Sequence, residues 1–429
     1  VTRNLKTNQL VDFDSMIKTA SLNSLGFFYL GFLMPVIART SMNATGTQIG
    51  LIVSSLVIGF MISSTFVGYL TDRVKYKKNL IFIGSIGRGI SYFLIYAAII
   101  ANSLISLWVG WFSLGLGAGF FWIPFDTLIS EKSDKDHRSH AFGKRDSANA
   151  IGQLIGALFG FGILMLFGFI TNNPFILYSA ILIFGIANFV AGIIFLRKVD
   201  ETIKFTSEPS KKNGIDHDQK TPVFPTPMLV GLAFLFIAVI LSSINGNLWR
   251  PFLNIYIIEN ISDNLNTVIL IYLPSGILAT LLAPKLGQVM DNVNPLLGII
   301  VTSSIGALLT WLMINTSNLI LFTLIVLGDI TIALSAGLLF RNILSRINIE
   351  HRGKILGATN FFTNLGGIIG PIMGGLLWDA LGSKAPFIFS IWVELGLIPL
   401  YLLVVKLLLP HLAESYDKPL KEVEVDPVL

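Results

Sequence analysis

Runs of apolar residues long enough to carry a helix through a roughly 30 Å hydrocarbon layer, which takes about 20 residues, recur along almost the whole chain. Twelve can be drawn, near residues 19–38, 46–70, 78–100, 104–127, 143–170, 174–197, 228–257, 265–287, 295–314, 319–341, 353–379 and 385–408. With 53% hydrophobic and 13% charged residues among 429, and a mean hydropathy of +0.74, the chain is too apolar for a soluble globular protein. It is expected to be an all-α membrane protein. No small-residue cleavage signal follows the first run, which therefore reads as a retained helix. The absence of cysteine excludes disulfides, thiolate metal sites and cysteine nucleophiles.

An even number of spans puts both termini on one side, and the Lys and Arg residues say which. Of the 30, 26 fall on the side of the termini, three on the other (Arg39, Arg250, Lys384) and one, Arg88, inside a span. Both termini are thus expected in the cytoplasm of a multi-pass plasma-membrane protein. The basic stretch "GYLTDRVKYKKNL" (68–80) holds one loop inside, and the pI near 9.2 reflects topology rather than nucleic-acid binding.

The longest polar interruption lies between the sixth and seventh runs and reads as a solvated linker. The expected organisation is an N-terminal bundle (1–197), a cytoplasmic linker (198–227), a C-terminal bundle (228–408) and a cytoplasmic tail (409–429). The two bundles correspond in sequence. Pro35 matches Pro251 at an offset of 216, "GYLTDR" matches "GQVMDN" at 219, and "HRSHAFG" matches "HRGKILG" at 214. Gly152, Gly156 and Gly160 then match Gly366, Gly370 and Gly374 at 214. Correspondences in one order at nearly one offset describe a tandem duplication of a six-helix unit.

Within "GYLTDRVKYKK", Gly68, Leu70, Asp72, Arg73 and Lys77 stand where the major facilitator superfamily has its loop motif after the second helix, and the whole chain resembles that family. Lys75 and Tyr76 depart from the motif. The segments "DKDHRSHAFG" and "GQLIGALFG" resemble the drug/proton antiporter branch, as does the glycine-proline series Gly357, Gly366, Gly370, Pro371, Gly374 and Gly375 in the eleventh span. Ala157 replaces the fifth-helix proline and Trp111 the fourth-helix arginine of many antiporters. The resemblance implies twelve helices in two pseudo-symmetric bundles that rock about a central cavity lined mainly by helices one, four, seven and ten.

On that scaffold Asp72 is expected to meet the start of the eleventh helix near Gly353 when the cytoplasmic side closes. A carboxylate beside a helix N-terminus is stabilised by roughly 0.3 to 1 kcal/mol. Arg73 then pairs best with Asp126, and Gly68 with Asp72 repeats as Gly287 with Asp291. These six residues form the expected gate.

Charges at membrane depth need a reason, since each costs a few kcal/mol or more there. Arg88 lies on a face with Gly84, Ser85, Ser91 and Tyr92, which turns it toward protein, either as a cargo contact or as a clamp within the bundle. Glu394 and Asp329 are the candidate proton-coupling carboxyls. Asp329 is the stronger and a candidate cargo contact as well, sitting near the middle of the tenth span with Ala333, Ala336 and Gly337 beyond it. Tyr29, Asn245, Asn247 and Arg250 are candidate cargo contacts, with a local break expected at Gly246, and Trp122 is the aromatic residue expected to face the cavity. Trp108, Trp249, Trp311 and Trp378 read as interfacial anchors.

Enzyme motifs are missing: there is no phosphate loop, and all five histidines fall in cytoplasmic segments. The sequence leaves two functions open. One is proton-coupled export of hydrophobic or cationic small molecules; the other is proton-coupled import or exchange of a polar or anionic metabolite, such as a sugar or organic anion, through Arg88 or Arg250. In both, the partners are a small molecule, a proton and the bilayer, with no cofactor, no metal and a monomeric chain.

Overall fold

The computed structural model describes residues 3–4, 9–10, 12–133, 138–203, 226–345 and 352–408. The first span is two helices, α1 (Phe13–Ser24) and α2 (Phe27–Thr40), parted at Leu25 and Gly26. The next four are single helices: α3 (Gly46–Arg73), α4 (Lys77–Ile100), α5 (Leu104–Lys132) and α6 (Arg138–Gly168). The sixth span is a short α7 (Pro174–Leu177) followed by α8 (Ala180–Lys198), and the seventh is α9 (Thr226–Leu248) followed by α10 (Arg250–Asn260). Then come α11 (Leu265–Asn292), α12 (Pro295–Asn315), α13 (Leu319–Ser345), α14 (Arg352–Leu381) and α15 (Ala385–Leu408). A two-residue antiparallel pair, β1 (Arg3–Asn4) with β2 (Gln9–Leu10), is the only other regular structure among the described residues.

Eleven of these segments are long and apolar enough to cross a membrane. The eighth expected span, α11, is a helix of 28 residues whose described apolar stretch, Leu265–Pro274, is shorter. The expected twelve helices are therefore all present as helices, while the number that qualify by length and apolarity is eleven.

Local chemistry sets the ends. Thr45 and Gln48 form a reciprocal capping box at the start of α3, which ties down donors that would otherwise be orphaned in a low-dielectric layer. Asn173 and Asn294 cap α7 and α12, each followed by a proline whose missing N–H costs nothing at a first helical position. Glu201 accepts from the backbone N–H groups of Lys77 and Lys78 at the start of α4. On the same side the fully buried Lys132 ammonium donates to Asp12 at 2.6 Å and to the carbonyls of Asp200 and Ile203, and Lys77 pairs with Glu131 at 2.7 Å. The charged loop of the sequence is thus partly an internal clasp, joining the ends of α1, α4, α5 and α8.

The chain divides into two compact units. The first comprises residues 1–217, 246–277 and 367–386; the second comprises 218–245, 278–366 and 387–429. In the first, small residues let helix backbones touch: a Cβ on Gly115 would lie 2.0 Å from the Leu56 carbonyl oxygen, and one on Gly84 would lie 2.4 Å from the Phe121 nitrogen. An apolar core of Phe13, Met16, Ile81, Phe121 and Phe125 fills its termini-side end. The second has its own core, with Leu235, Val239, Leu339 and Val404 among its members. The division cuts across α9, α11 and α14, and takes the first two residues of α15, because parts of the seventh, eighth and eleventh spans pack with the first half of the chain.

Candidate functional site

The break in the first span organises a cavity. Gly26 has φ +82°, a conformation that L side chains rarely adopt, and a Cβ there would also fall 2.4 Å from the Phe184 ring. Gly156 brings α6 against the break, since its own Cβ would lie 2.5 Å from the Gly26 nitrogen. The carbonyls released at the end of α1 find donors on α4. Arg88 Nη2 donates to the Asn23 carbonyl at 2.9 Å, and the Tyr92 hydroxyl donates to the Leu25 carbonyl at 3.1 Å. Arg88 Nε reaches Asn188 Oδ1 at 3.3 Å. A cation at a helix C-terminus is favourably placed, so the clamp role open to Arg88 in the sequence has its partner in the broken helix.

Arg88 also lines a cavity of about 200 Å³ inside the first unit, together with Trp122. Ser24 and Phe27 flank the break on one wall, Leu56 and Phe60 of α3 and Leu114 and Ala118 of α5 form apolar walls, and Asn149 and Gln153 of α6 supply amides. Gln153 donates to Asn149 at 3.2 Å. These two amides were not singled out from the sequence, although the spacing of Arg145, Asn149 and Gln153 at i, i+4 and i+8 marks one polar stripe in an apolar helix.

Arg145 ends that stripe beside Asp126, with Nη2 3.2 Å from the carboxylate and the guanidinium carbon 5.5 Å from the Trp122 ring centroid. This corrects the pairing expected between Asp126 and Arg73. Arg73 instead stacks on Tyr69 one turn earlier in its own helix, 4.0 Å above the ring, and is exposed. Asp72 is likewise exposed, and Gly68 faces open space. Gly287 and Asp291 lie on α11, and their surroundings fall outside the described residues.

At the end away from the termini, the first and second helices close on the seventh, eighth and eleventh. Asp379 of α14 accepts from the Gly46 N–H at 2.6 Å, the Thr47 N–H at 2.8 Å and the Thr47 hydroxyl at 2.7 Å, so it caps α3 from another helix. Arg39 pairs with Glu259 at 2.6 Å, and Phe28 stacks on Tyr272 at 5.4 Å. The approach is close enough that a Cβ on Gly50 would lie 2.2 Å from the Pro371 carbonyl oxygen. Trp249 and Trp378 are buried in this closure, the latter stacked on Phe252, so the interfacial role expected for them is corrected; Trp108 and Trp311 are exposed.

Tyr29 also departs from expectation. It is fully buried between the rings of Phe161 and Phe184, away from the cavity wall, and its hydroxyl has no hydrogen-bond partner. The break in the seventh span falls at Trp249 rather than Gly246, because Pro251 has no N–H to continue the helix. Arg250 is exposed at the first position of α10, and Asn247 is half-buried at the end of α9.

In the second unit Asn245 donates to Glu394 at 2.6 Å, which brings two sequence candidates together, and Tyr401 bonds Ser242 across the same α9 and α15 pair. Asn245 Oδ1 is buried without a partner. Asp329 is buried on α13. Among the described residues no cluster of three or more His, Asp or Glu side chains could hold a metal ion.

Comparison with known proteins agrees with this architecture. The family model described as Major Facilitator Superfamily matches residues 19–371 and 235–427. Multidrug resistance protein 2 of Bacillus subtilis (strain 168) is 24% identical over 381 residues, covering 85% of this chain and 89% of that protein. Multidrug resistance protein MdtG of Salmonella arizonae is 25% identical over 398 residues, covering 91% and 94%. Among solved structures, a bacterial homolog of the human lysosomal transporter Spinster, inward-facing and occupied, superposes with a TM-score of 0.73 at 12% identity, covering 93% of this chain and 97% of that one. The nucleoside transporter NupG superposes with a TM-score of 0.71 at 13% identity, covering 92% and 100%.

Proposed function

The chain belongs to the Major Facilitator Superfamily, and from that premise we propose that this secondary transporter exports small hydrophobic or cationic compounds in exchange for protons. That it is a multi-pass membrane transporter of small molecules and not an enzyme follows from the family. The cargo, the direction and the coupling ion are the proposal.

The observation that carries it is the cavity in the first unit, whose walls are mostly apolar and whose polar groups are few and converge. Relatives named for multidrug resistance favour drug-like small molecules as cargo. The hydrophobic arm of the reading has the better support here, because the one charged residue lining the cavity is the cation Arg88. The cationic arm rests on the carboxyls of the other half.

Proton coupling is assigned to Asp329, with Glu394 and its partner Asn245 as the second site. A buried carboxyl that can be neutral or charged as its surroundings dry or wet is what an exchanging proton requires. Asp72 acts as the termini-side gate against the start of α14, with both termini cytoplasmic and the protein monomeric in the plasma membrane.

Purified protein in liposomes loaded with a lipophilic fluorescent dye tests this. A pH gradient of one sign should drive accumulation against the dye gradient, and the opposite sign should reverse it. Dye movement indifferent to the gradient would remove proton coupling, and no movement at all would remove lipophilic cargo.

A further inference from the structure

The polarity of the cavity wall carries a reading of the cargo that rests on the transporter assignment above and narrows its hydrophobic arm to amphipathic anions, against its cationic arm. At the break in the first span, α1 ends and α2 begins against the same cavity. A helix end carries roughly half an elementary charge, negative at a C-terminus and positive at an N-terminus. The two ends at Ser24 and Phe27 therefore cancel in sign, which leaves the Arg88 guanidinium as net charge.

Arg88 is 3% exposed. Its hydrogen-bond partners, the Asn23 carbonyl, the Asn188 amide and the Tyr92 hydroxyl, are neutral, and among the described residues no carboxylate pairs with it. The guanidinium stays charged in a protein, and a buried charge without a counter-charge is expensive. The N-terminus of α2 meanwhile has no side-chain cap, and its first intrahelical bond runs from the Leu30 N–H to the Gly26 carbonyl. The N–H groups ahead of Leu30 have no intrahelical acceptor. A buried guanidinium without a counter-charge and the free N–H donors at the start of α2 thus meet at one cavity, and the missing member of the set is an anion.

We infer that Arg88 and the start of α2 form a subsite for the anionic end of an amphipathic cargo, a carboxylate or a group of like charge. The apolar body of such a cargo lies against Phe27, Phe60, Leu114 and Trp122, and the Asn149 and Gln153 amides take its remaining polar atoms. The volume, about 200 Å³, is smaller than the roughly 300 to 1,000 Å³ of pockets for drug-sized ligands. It suits a head group with one fused ring system.

Three probes of one shape test it on the full-length protein in detergent: 1-naphthaleneacetate, its neutral amide and 1-naphthylethylamine, with binding followed by quenching of tryptophan emission. The wild type should bind the carboxylate at least tenfold more tightly than the amide, and the amine least. Arg88→Gln should bring carboxylate and amide to equal affinity, whereas Arg88→Lys keeps a reduced preference because it keeps the charge but not the fork. Loss of Arg88 also strips the broken helix of its clamp, so Gln153→Glu provides a second variant. An isosteric carboxylate on the α6 wall of the same cavity should lower acetate affinity at least tenfold and leave amide affinity within twofold. Equal binding of all three probes by the wild type would overturn the subsite alone, as would an acetate preference that survives both Arg88→Gln and Gln153→Glu. Binding of none of them would overturn the subsite together with the use of this cavity for cargo.

Discussion

The two halves of the duplication break the same helix by different means and place opposite charge nearby. In the first span the break is built by packing: Gly26 adopts a left-handed conformation under Phe184, Gly156 presses against it, and Arg88 and Tyr92 of α4 take the freed carbonyls. In the seventh it is built by covalent chemistry, Pro251 lacking the donor that would join α9 to α10. One turn before that break Asn245 holds Glu394 of α15. Beside its break the first half thus keeps a charge that cannot titrate, and the second keeps the Glu394 carboxyl. On the proposed reading the two halves divide their labour, with a fixed cation that orients cargo in one and carboxyls that carry the driving ion in the other.

The largest effect should come from removing the titratable group. Asp329→Asn imitates a permanently protonated carboxyl, so accumulation in liposomes under a pH gradient should fall to the level seen without one, while energy-independent exchange continues. Each charge moved across the field is worth about 2.3 kcal/mol per 100 mV, and that work is what the variant forfeits. Asp329→Glu should retain coupling with an altered pH dependence. Should Asp329→Asn still concentrate dye like the wild type, the coupling site is elsewhere, and Glu394 and Asp126 are next in order.

The next comparison is of the breaks themselves, by thermal unfolding in detergent. Gly26→Ala places a Cβ in a disfavoured backbone conformation and into the Phe184 ring, and should cost on the order of 1 to 3 kcal/mol. Pro251→Ala restores a donor where the chain already turns, and should change stability by less than about 1 kcal/mol. Equal losses in the two variants would mean that the breaks are held alike, and the contrast drawn above would fail.

Which features were legible in the sequence follows from their physical range. Helices and family were written in residue type and spacing, and the Thr45-x-x-Gln48 spacing that closes the capping box could have been found the same way. The break in the seventh span was expected at Gly246 and falls at Trp249, although Pro251, which acts on its own chain, marks it in the sequence. Gly26 gave no such sign: one glycine between apolar neighbours becomes a break only because Gly156 and Phe184 arrive from other helices. Asp126 was assigned to Arg73 on topology alone, whereas the partner that reaches it, Arg145, lies on the polar stripe of α6 with Asn149 and Gln153. That stripe could have been found from its four-residue spacing. Asp379 could not, because its partners are backbone N–H groups that no side-chain pattern advertises.

The smallest effects, and the sharpest test of opposition between the halves, concern the carboxylates at the two ends. The first half supplies Asp72 at the termini side, where the proposal sets it against the start of α14. The second supplies Asp379 at the far end, where three donors of Gly46 and Thr47 already hold it. On the proposed reading each contact would exist only while its own end is closed, and alternating access requires the other end to be open at that moment. Asp379→Ala should therefore open the far end, and Asp72→Asn should close it further, each by about 1 kcal/mol, or roughly a fivefold change in population. Distances between spin labels at residues 43 and 383, on the turns flanking the Asp379 contact, report the far end directly. Contacts with no shared partner combine additively, so the double variant should return to the wild-type distribution. A double variant that instead behaves like Asp379→Ala alone would mean that Asp72 holds no gate, and that the loop motif around it serves only to keep its bases on one side of the membrane.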